Sequence, residues 1–159
     1  MGLVQILARL TSRVLAISAW GLEQWLAVFG GQIMHEPTQY YLCPSTALED
    51  GAEGVVFDVI YGGQTCRAFA VRYEGQVQAY LNRCAHVAME MDYREGHFFD
   101  QTKRWLICAT HGALYAPQTG QCMGGPCKAG LIKIDVFEKE GSVHWLSAYN
   151  LIKKENIFD

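Results

Sequence analysis

Two short stretches, Cys84-Ala85-His86 and Cys108-Ala109-Thr110-His111-Gly112, constrain this chain more than any other feature. Each brings a thiol and an imidazole close together, and 21 residues separate His86 from Cys108. Together they offer two sulfur and two nitrogen donors, a set used both by structural zinc and by iron-sulfur centres. Zinc sites usually pair like with like, two Cys and then two His, whereas each half here mixes the two types. A zinc staple and four ordinary core residues are the plainer alternatives, and two compact mixed pairs argue against both.

The pattern C-x-H, 21 residues, C-x2-H-G resembles the Rieske iron-sulfur family, in whose [2Fe-2S] centre two His replace two Cys on one iron. The resemblance spans roughly residues 38–147 and is nearest in type to the small Rieske-type ferredoxins. It implies one cluster per chain, with Cys84 and Cys108 on a buried iron and His86 and His111 on the outer one. It also assigns Tyr115, four residues after His111, to a place where some members carry a Tyr hydroxyl bonded to a cluster thiolate. An aromatic on a strand face is the alternative for Tyr115. Residues 119–126 are similar to the family's third loop, whose Gly124, Gly125 and Pro126 would cover the cluster. Glycine permits close backbone approach there and proline stiffens the loop.

Departures from the family pattern carry their own expectations. High-potential respiratory members have an extra Cys in each ligand loop, joined as a disulfide, and a Ser bonded to a bridging sulfide. Here those positions are Met89, Thr110 and Ala113. Hydrogen bonds to sulfur raise the potential, so their loss favours the lower to middle part of a family range of about −150 to +300 mV. The spacer is also longer than in small members. Its residues 90–104 mix acidic and basic side chains and are expected to form a solvated loop, with docking of a partner as the alternative.

The formal charge of −3 shows no basic excess, so nucleic acid is not expected as a partner and membrane association is not favoured. Half of the 159 residues are hydrophobic, enough for one core. Residues 1–37 are expected to form an N-terminal helical extension and linker. Leu3, Leu7, Leu10, Val14 and Ile17 recur at helical spacing, while Arg9, Arg13 and Glu23 interrupt the apolar run before it could span a bilayer. A helix packed on a partner or lying on a membrane, a translation start near Met34, a true anchor and an uncleaved targeting segment all stay open for this segment.

Residues 38–147 read as an all-β domain, an antiparallel sandwich or barrel with a small cluster-binding subdomain. Candidate strands are 40–43, 54–60, 66–73, 76–82, 104–108, 131–138 and 142–146, with turns at Gly62-Gly63, Glu74-Gly75 and Glu140-Gly141. Residues 148–159 are expected to be a C-terminal tail, with residues 151–159 a short frayed extension. Of six cysteines, Cys43 and Cys66 read as buried thiols. Cys122 and Cys127 lie five apart in the third loop and are expected as two thiols in a reducing cytoplasm, a disulfide being the alternative. His35, His97 and His144 read as structural or surface residues.

The resemblance implies one-electron transfer rather than catalysis. Ring-hydroxylating oxygenases follow a similar domain with a second one that holds mononuclear iron, but after Pro126 only 33 residues and one His remain. A ferredoxin passing electrons from a reductase to an oxygenase or other acceptor, located in the cytoplasm, is the favoured reading. A Rieske subunit fixed within a larger oxidoreductase, such as a nitrite-reductase small subunit or a membrane redox complex, is the alternative. A zinc-stabilised interaction module is a third.

Overall fold

The computed structural model describes residues 37–154, so the expected N-terminal helix lies outside the described residues. The described chain is antiparallel β with a single 3-10 turn at Ser45–Ala47. Its strands are β1 Gln39–Pro44, β2 Val55–Tyr61, β3 Gln64–Tyr73, β4 Gln76–Leu81, β5 Leu106–Ile107, β6 Leu114–Tyr115, β7 Cys122–Gly124, β8 Lys133–Ile134, β9 Val136–Lys139, β10 Ser142–Leu146 and β11 Leu151–Lys153. They form three sheets, β1-β10-β9, β11-β2-β3-β4-β8 and the small β5-β6-β7. Among the described residues, no helix is long and apolar enough to cross a membrane.

Three two-residue turns set the register. Gly62-Gly63, Glu74-Gly75 and Glu140-Gly141 all have positive φ at both positions, which matches the twist of the strands they join. Glu74 adopts this conformation at φ 50° while its N–H and that of Gly75 donate to the Asp50 carboxylate, at 2.9 and 2.6 Å. Strand β1 carries a bulge between Tyr41 and Cys43 that shifts the alternation and turns Cys43 inward opposite Val143.

The middle strands are buried on both faces, which explains their nearly unbroken apolar runs. Ala68 and Ala70 of β3, with Ala79 and Leu81 of β4, pack with Val143 and Trp145 from the sheet of β1, β9 and β10. Phe69, Val71 and Tyr80 point the other way, onto Met91, Phe98, Leu106, Cys108 and Tyr115. The site is thus built directly on the back of the five-stranded sheet.

Four expectations are corrected. The single strand read over 131–138 is two strands in different sheets: β8 pairs with β4, β9 with β10, and the Asp135 carbonyl between them accepts the Leu146 N–H at 2.9 Å. The frayed tail instead begins with β11, which pairs with β2 and buries Leu151. The solvated spacer holds Met91 and Phe98 wholly buried, with Phe98 stacked on Phe69 at 3.8 Å between ring centres. Cys122 and Cys127, expected as thiols, form a disulfide with Cα atoms 5.9 Å apart. The antiparallel β architecture itself is as expected.

Candidate metal centre

Each motif occupies the turn of a compact loop. After β4, the N–H of Cys84 donates to the Met89 carbonyl at 2.8 Å and the N–H of Met89 to Val87 at 2.7 Å, folding residues 84–89 back on themselves. The second motif joins β5 to β6. There the Cys108 N–H donates to Ala113 and the Gly112 N–H to Cys108, each at 2.9 Å. The third loop leaves β7, which pairs with β6, and the disulfide closes it.

These loops sort the four candidate ligands by type. Cys84 and Cys108 are 4% and 1% exposed and belong to the same buried cluster. His86 and His111 are exposed, with ring centres 5.1 Å apart and planes at 88°. The two thiols therefore lie inside, and the two imidazoles lie together outside. Among the described residues, no three His, Cys, Asp or Glu side chains converge on a point that one ion could fill. A buried thiol pair beside an exposed imidazole pair fits a binuclear cluster better than a single zinc ion.

Tyr115 is fully buried beneath the first loop. Its hydroxyl lies 3.2 Å from Cys84 Sγ and accepts the Ala85 N–H at 3.1 Å. With that N–H aimed at its oxygen, the hydroxyl proton is free to be donated to the sulfur when the sulfur is a thiolate. Burial and the adjacent Cys84 sulfur hold the phenol well above its ordinary pKa, so it keeps that proton. Burial opposes ionisation of Cys84. Hydrogen bonds from Tyr115, from the His86 and Val87 amides and from Cys108 outweigh it and hold this thiol below the usual range. Cys108 moves up, chiefly by burial, with the Cys84 sulfur adding to the effect.

The third loop touches the second through Gly125. A Cβ there would fall 2.6 Å from the Gly112 carbonyl oxygen, and its φ of 76° also favours glycine. Gly124 and Pro126 flank it, both half-buried. Sequence reasoning thus places all the candidate residues in one region. It misses the disulfide, because five-residue spacing cannot distinguish two thiols from a bridge. It also misses Asn82, a buried amide at the end of β4. The one available signal was a polar residue closing an apolar strand two positions before a ligand Cys.

A family model for the Rieske [2Fe-2S] domain matches residues 38–144. None of the curated proteins matches the chain. Among solved structures, the ferredoxin of carbazole 1,9a-dioxygenase from Nocardioides aromaticivorans IC177 is 22% identical, with a TM-score of 0.55 over 68% of this chain and 96% of that one. A complex of reduced oxygenase and oxidized ferredoxin in carbazole 1,9a-dioxygenase matches at 20% identity and a TM-score of 0.53, covering 67% of this chain and 91% of that one. A Sphingomonas yanoikuyae B1 ferredoxin matches at 20% identity and a TM-score of 0.50, over 74% of this chain and all of the other. At these identities the structural likeness establishes the fold.

Proposed function

The chain belongs to the Rieske [2Fe-2S] domain family, and from that premise we propose that it is a ferredoxin carrying single electrons from a reductase to an oxygenase. The family implies one cluster per chain. In our reading Cys84 and Cys108 would hold one iron of the cluster, and His86 and His111 the other. When bound, the cluster supplies a one-electron couple.

The protein's own residues would do the rest. The buried thiols would exclude water from their side of the site, and the exposed imidazoles would make it accessible to a partner. Tyr115 would donate a hydrogen bond to the Cys84 thiolate and favour the reduced, more negative state. In this reading the protein would act as an electron carrier and not as a catalyst.

The observation that carries this reading is the separation of a buried thiol pair from an exposed imidazole pair. The structural relatives, a dioxygenase ferredoxin and an oxygenase–ferredoxin complex, support an oxygenase as acceptor. C84S and H86A are the direct tests. Each should abolish cluster incorporation, and a variant that keeps the full visible spectrum refutes the ligand assignment. Removing residues 1–33 separates the shuttle from a fixed subunit, because a shuttle keeps its electron transfer and a fixed subunit loses assembly.

A further inference from the structure

Asn82 belongs to neither motif, yet its side chain is 4% exposed and uses both ends. Its Oδ1 accepts the Met91 N–H at 2.8 Å, and its Nδ2 donates to Asp92 Oδ1 at 2.7 Å. The other Asp92 oxygen accepts the Gly96 N–H at 3.1 Å. The backbone of Asn82 is fixed too, its N–H donating to the Arg67 carbonyl of β3 at 2.8 Å. Residues 82–91 therefore form a ring closed by one amide, and the first motif lies inside it.

The same residue, Met91, reaches the second motif. The Met91 carbonyl accepts the N–H of Ala109, the residue after Cys108, at 2.8 Å. The Met91 side chain is wholly buried in the cluster that contains Cys84, Cys108 and Tyr115. Met91 thus links the loop of one thiol to the loop of the other, its N–H bonded to Asn82 and its carbonyl to Ala109, with its own backbone between them. A buried amide with both ends bonded permits one orientation, because reversing it would set a donor against the Met91 N–H.

We propose that Asn82 is a positioning residue that sets the separation of the two ligand loops, acting through Met91. The inference rests on the ligand reading above. It also gives the long spacer a role, since the start of that spacer supplies both Met91 and Asp92.

The test uses the full chain and three variants. N82L removes both bonds. N82D keeps an acceptor for the Met91 N–H but sets a carboxylate against Asp92. N82D/D92N exchanges donor and acceptor, so that the carboxylate at 82 accepts from the amide at 92 and the network closes again. Amide exchange at Ala109 is measured in the cluster-free proteins. Cluster loss to an iron chelator and the EPR linewidth are measured after reconstitution with ferrous iron and sulfide.

N82D should exchange Ala109 and lose its cluster about tenfold faster than wild type, with a broadened signal, and N82D/D92N should return within about twofold. N82L should resemble N82D or exceed it. If N82D matches wild type in exchange, cluster loss and linewidth, the proposal is overturned. It is equally overturned if N82D/D92N melts like wild type but does not restore these readouts. A wild-type protein without a Rieske signal would sink the ligand reading instead, and the exchange measurement would still decide this one.

Discussion

Replacing Tyr115 with Phe removes one oxygen and keeps the ring, so the buried volume is nearly unchanged. Two hydrogen bonds disappear, the 3.2 Å contact with Cys84 Sγ and the 3.1 Å bond accepted from Ala85. A hydrogen bond to a charged group contributes roughly 1.5–3 kcal/mol, and only the part that differs between redox states moves the potential. Taking that part as about 1 kcal/mol, and 59 mV per tenfold change for one electron, Y115F should lower the midpoint potential by about 40 mV. The Ala85 N–H loses its acceptor in a half-buried site, which should cost about 1 kcal/mol of stability. The assay is a dye-mediated redox titration followed by EPR, with a urea melt of the cluster-free protein beside it. A potential unchanged within about 10 mV, with the stability loss present, would refute the claim that the hydroxyl favours the reduced state.

Other perturbations test the supporting frame. G125A should drive a Cβ into the Gly112 carbonyl and separate the third loop from the second, seen as faster cluster loss to a chelator with little change in the melting of the rest. C122S should lower stability by about 2 kcal/mol under oxidising conditions and by nothing once wild type is reduced, as urea melts with and without a thiol reductant would show. Arg72 is bonded to the Leu48, Ser45 and Gly75 carbonyls and holds Glu138 in a two-oxygen grip, so R72K should cost roughly 2 kcal/mol by urea melt. The Arg72 hydrogen bond also holds the Glu138 carboxyl below its ordinary range. Its folded pKa is the lower one, so the stability it contributes is present above the unfolded value of about 4.3 and disappears as pH falls through the folded value. E138Q should therefore flatten the acid limb of the stability profile, and an unchanged limb would contradict this.

What was legible in the sequence was what local chemistry demands. Thiol and imidazole side chains at short spacing stand out in a sequence, which makes both motifs readable as candidate ligands. The hairpin turns were readable because few residue pairs other than Gly-Gly or X-Gly accept two positive φ values. What stayed hidden depends on distant partners. Leu151 looks like tail until it meets β2. Leu114–Tyr115 and Cys122–Gly124 are too short for any alternation to show. The strand break at Asp135 arises because the two halves of an apolar alternation pair with different sheets. Met91 and Phe98 were obscured by the charged residues around them, and Asn82 has no periodicity at all.

The central claim is that this chain holds a mixed Cys and His iron-sulfur centre, and an EPR spectrum of the dithionite-reduced protein tests it most directly, with iron and sulfide quantified on the same sample. The account predicts a rhombic signal with an average g below the free-electron value, together with two irons and two sulfides per chain. A colourless, EPR-silent protein containing one zinc per chain would contradict it.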